Sequence, residues 1–145
     1  MMSIEEKINF YKKNLNIFDD DMEKYKFLLD QWKKAKTFPE EFRQDSFKVS
    51  GCQAQVWLVP YVEDNKINFH FDSDAFISKG MITILCDIYG SREPKEILST
   101  NFDLLDSLNL VTHPLSFWTW TTAKDLNCRV PFITTILYIN IIFLF

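Results

Sequence analysis

The residue pattern predicts an α+β fold, a small antiparallel sheet of about three strands with helices packed on one face. Three observations predict it. Apolar residues recur at helical spacing from Ile4 to Trp32. Runs rich in β-branched and aromatic residues then follow, split by a polar turn at Glu63-Asp64-Asn65-Lys66. Helical spacing returns after Asp74, without the strict strand and helix alternation of a doubly wound sheet.

Taken in order, Ser3 and Glu6 form a capping box, and Ile4, Ile8, Tyr11 and Leu15 give the first helix its buried face. The Asp19-Asp20-Asp21 cluster caps a second helix, with Met22, Tyr25, Leu29 and Trp32 as its apolar face and Lys33, Lys34 and Lys36 at its end. Pro39-Glu40-Glu41 opens one more helical turn, with the proline at the first helical position, and Phe47-Lys48-Val49 is extended. The run from Gln53 to Val62 is a strand, and Pro60 marks it as an edge. In the returning strand Ile67, Phe69 and Phe71 share a buried face, while Asn68, His70 and Asp72 share a wet one. Asp72-Ser73-Asp74 then caps a long helix whose stripe is Ile77, Met81, Ile84, Leu85 and Ile88, with Gly90 at its end. Pro94 starts another helix, and Phe102, Leu105 and Leu108 mark a last short one.

At 145 residues, 47% hydrophobic and 25% charged, the chain has the profile of a folded domain with one core. Residues 1–110 form that core, and 111–145 read as a divergent C-terminal segment. From Arg129 the sequence RVPFITTILYINIIFLF is almost uncharged but falls short of the roughly 20 apolar residues of a membrane helix. Pro131 and Asn140 also disfavour a membrane span, which leaves a terminal strand or helix, or an aggregation-prone end.

A net charge of −4 with no dense Lys/Arg run excludes tracking of a nucleic-acid backbone. Three cysteines without a CxxC pair fit neither a disulfide framework nor a zinc finger, so reduced thiols are expected. The opening MMSIEEKINF carries acids where a secretory signal has a basic region, and a cytoplasmic location is expected.

Cys52 follows Gly51 at the entrance to the first strand, where a thiol can project into a partner's cleft. Ser50 and Gln53 can donate hydrogen bonds to its thiolate, and Gly51 admits a close backbone. From spacing alone a small buried hydrophobe is the commoner reading. Cys86 lies inside the long helix's stripe and reads as packing. His70 and His113 could serve Cys52 as a base, but no hydrolase motif surrounds the thiol. Lys79 reads as solvated, or as a cation favouring the thiolate. The pairs Asp19-Asp20 and Asp72-Asp74 read as helix caps rather than catalytic carboxylates.

The stretch Val49-Ser50-Gly51-Cys52-Gln53-Ala54-Gln55-Val56-Trp57-Leu58 resembles the active-cysteine region of the SufE/CsdE cysteine desulfuration proteins. Asp72-Ser73-Asp74-Ala75 with Ile77, Lys79 and Gly80, Tyr25 with Leu28-Leu29, Pro39-Glu40-Glu41 and Pro94-Lys95-Glu96-Ile97-Leu98 are similar to that family as well. The resemblance spans about Ile17 to Leu110. It implies a SufE/IscU-like fold and a sulfur-acceptor role in iron–sulfur cluster assembly, with Cys52 as the catalytic thiol and Ser50, Gly51 and Gln53 as its supporting loop and partner contact. It implies no metal or cofactor on this chain, a SufS/CsdA-like cysteine desulfurase that carries pyridoxal phosphate as partner, and an iron–sulfur scaffold as downstream acceptor. After Leu110 the family's Arg-x-Asn-Gly segment and final helix have no counterpart in this sequence. The alternative reading is a scaffold-like or regulatory partner of the desulfurase that carries no sulfur.

Overall fold

A computed structural model describes residues 1–48, 55–100 and 108. In order they form α1 (Ile4–Asn16), α2 (Asp21–Trp32), 3-10 turns at Glu40–Phe42 and Asp45–Phe47, β1 (Val56–Glu63), β2 (Lys66–Ser73), α3 (Phe76–Tyr89) and α4 (Pro94–Leu98). The architecture is α+β, as expected. Among the described residues the sheet has two strands, and a bridge from Lys48 to Trp57 marks where a third neighbour touches β1.

β1 and β2 pair antiparallel without a bulge, from Val56 opposite Ser73 to Glu63 opposite Lys66. Asp64 and Asn65 both take positive φ, 52° and 61°, the two-residue turn whose twist matches a hairpin. Pro60 is tolerated because the bridge to Lys48 reaches β1 only at Trp57, leaving Pro60 on an open side.

Val56 and Leu58 of β1 pack with Met81, Ile82, Leu85 and Cys86 of α3. Ile4, Ile8, Tyr11, Ile67, Ile84, Ile88, Tyr89, Ile97 and Leu108 close a second cluster. α3 is therefore buried almost all round, as expected of a helix apolar on most of its faces. Gly80 permits this: a Cβ there would collide with the backbone carbonyl of Leu28, so α2 and α3 meet backbone to side. The Ser3 capping box forms in both directions, and the four residues expected to be buried in α1 are buried.

Several expectations are corrected. α2 turns Phe27, Leu28 and Gln31 inward, while Met22 and Tyr25 are exposed and Leu29 and Trp32 are half-buried. The inward stripe was hidden by its polar member. Gln31 is buried because its amide donates to the Phe27 carbonyl and its oxygen accepts from Lys34. Asp72 and Asp74 do not cap α3, whose N-cap is Ala75 with no side-chain bond. Asp72 belongs to β2, Asp74 accepts from the Gln55 amide, and Ser73 Oγ accepts from the Ala75 amide. Gln55 lies before the strand, which runs from Val56, while Gln53 and Ala54 lie outside the described residues, and Phe47 closes a 3-10 turn rather than extending. Pro39 precedes its turn as the N-cap. Gly90 is extended, and Ser91 takes the left-handed conformation instead, φ 58°. The wet face of β2 is partly covered, because Phe38, Trp57 and Val59 with Phe42 and Phe47 build a small aromatic layer over it. Leu108 is buried as part of the core, while Phe102, Leu105 and the segment 109–145 lie outside the described residues. Among the described residues no helix is long and apolar enough to cross a membrane.

Candidate functional site

Cys52, Ser50, Gly51 and Gln53 lie outside the described residues, in the span 49–54, but both flanks of that span are fixed. On one side Lys48 bridges to Trp57. On the other, the Gln55 amide donates to Asp74 Oδ1 at 3.0 Å and the Asp74 amide donates back to the Gln55 carbonyl at 3.2 Å. The two flanks, Lys48 and Gln55, lie at the end of the sheet where β1 begins, β2 ends and α3 starts.

The charges at that end are ordered around Asp72. Its Oδ2 accepts from Arg43 Nη2 at 2.7 Å and its Oδ1 pairs with Lys79 Nζ at 2.9 Å, with the carboxylate only 13% exposed. Burial works against the Asp72 charge, yet the bonds from Lys79 and Arg43 and the Ser73 backbone win and hold the carboxyl below the usual carboxylate range. Arg43 also grips Glu40 through two bonds of 2.8 and 2.9 Å, and its guanidinium lies 4.8 Å from the Trp57 ring centroid and 5.1 Å from that of Phe38. Those carboxylate bonds push Arg43 further up, so it stays charged at any working pH. Lys48, paired with Asp45, approaches the same indole at 5.5 Å. Lys79 is thus not a solvated lysine: it is ion-paired and sits 5.5 Å from the Trp32 ring.

This arrangement was missed by sequence reasoning. The signals present were Glu40 three residues before Arg43 and an aspartate on the polar side of an alternating strand followed by Lys79.

His70 is stacked between the rings of Tyr61 and Phe42, centroids 4.4 and 5.6 Å away, in the middle of β2. His113 and Cys128 lie outside the described residues. Cys86 is buried, and desolvation together with the neighbouring Asp87 charge pushes its thiol well up, which makes it inert packing as expected. A cleft of about 550 Å³ beside β2 and α3 is lined by Lys7, Tyr11, Lys34, Cys86, Asp87 and Arg92 among others. Several of its polar groups are paired with one another or with neighbours: Lys7 and Tyr11 with Asp87, Lys34 with Gln31, and Arg92 with Glu96. Among the described residues no cluster of three His, Cys, Asp or Glu side chains could hold a metal ion.

A model of the SufE family, described as an Fe-S metabolism associated domain, matches residues 10–117. The chain is 36% identical over 104 residues to the cysteine desulfuration protein SufE of Wigglesworthia glossinidia brevipalpis, across 71% of this chain and 70% of that one. It is 32% identical over 102 residues to a SufE-like protein of Rhizobium meliloti, across 66% of this chain and 71% of that one. Among solved structures it resembles a hypothetical protein from Thermus thermophilus, with a TM-score of 0.67 at 15% identity and 90% of each chain covered, a likeness of fold alone.

Proposed function

This chain belongs to the SufE family, and from that membership we propose that Cys52 is the residue on which it carries sulfur. Membership gives the chain a sulfur-acceptor role in iron–sulfur metabolism and a cysteine desulfurase as its partner. In the proposed step the Cys52 thiolate attacks the terminal sulfur of a persulfide on the desulfurase cysteine. A sulfur–sulfur bond forms at Cys52 while the one on the desulfurase breaks. The transferred sulfur keeps its hydrogen, the desulfurase cysteine leaves as a thiolate, and no external oxidant or reductant is consumed. The pyridoxal phosphate that creates the persulfide belongs to the partner. Ser50 and Gln53 donate to the thiolate, Gly51 lets the partner's backbone approach, and the sulfur then passes to an iron–sulfur scaffold, all in the cytoplasm.

The observation that most supports this reading is the fixed position of both flanks at an end of the sheet that carries three cations, Arg43, Lys48 and Lys79. Glu40, Asp45 and Asp72 answer these three cations, so the group is charge-balanced, and one cation turned toward a thiolate from about 10 Å in a water-like medium is worth at most roughly 0.4 kcal/mol.

The test is Cys52→Ser with the partner desulfurase. Loss of sulfur transfer and of desulfurase stimulation by a hundredfold or so is expected, since Cys86, the thiol among the described residues, is buried. Full stimulation by the serine variant would instead identify a regulatory partner that carries no sulfur.

A further inference from the structure

We draw no further inference here: the strongest candidate, the cleft of about 550 Å³ beside β2 and α3, rests on the exposed side chains of Lys34 and Lys36, its buried polar side chains Gln31 and Arg92 are already bonded within the chain, and nothing in the structure shows what covers it.

Discussion

Around Ile84 and Ile88, side chains from α1, β2, α3 and α4 close on one another with almost no exposed surface, whereas at the far end of the sheet Asp72 is held by Arg43 and Lys79 among half-covered rings. The first region is stabilised by removing apolar area from water, which does not titrate with pH. The second depends on charges that must stay ionised and on cations held over the Trp57 and Trp32 rings. The contrast teaches where this molecule is rigid by packing and where it presents chemistry.

The largest expected effect lies in the packed region. Ile84→Ala should cost about 3–4 kcal/mol in urea unfolding, because Ile84 is wholly buried and the cavity cannot drain to the surface. Gly80→Ala should cost roughly 2–3 kcal/mol by forcing α2 off α3, and a neutral result would contradict the close approach to Leu28.

At the charged end, Asp72→Ala leaves Arg43 and Lys79 without their shared carboxylate and should cost about 2 kcal/mol at pH 7. Because the folded Asp72 carboxyl is held below its ordinary value, this contribution is full above about pH 4 and is lost as pH falls from there through the folded pKa. The melting-temperature gap between wild type and variant should therefore be wide at neutral pH and close in acid. A gap constant down to about pH 2 would mean that packing, not charge, was removed. The smallest effect on stability, under about 1 kcal/mol, is expected for Lys79→Met. It should nonetheless move the pH profile of sulfur transfer to higher pH, since removing a cation disfavours the thiolate.

Legibility in the sequence followed the same division. α1, the hairpin turn and the α3 stripe were readable because capping chemistry, positive-φ residues and apolar spacing are local signals. α2 misled because two apolar stripes coexist on it, and the inward one contains Gln31, whose burial depends on bonds to Phe27 and Lys34 that spacing cannot show. The Asp72 network was invisible for a related reason: Arg43, Asp72 and Lys79 are brought together only when the 3-10 turns fold over the outer face of β2. Cys52 stood out through the residues around it, but a sequence gives a thiol's neighbours along the chain and not those across the sheet end.

The most direct measurement is mass spectrometry of the reduced chain after incubation with desulfurase and cysteine. A gain of about 32 Da confined to the peptide carrying Cys52 is the predicted result, with Cys86 unmodified in its buried setting. Sulfur appearing on another cysteine, or on none while the desulfurase is still stimulated, would contradict the assignment.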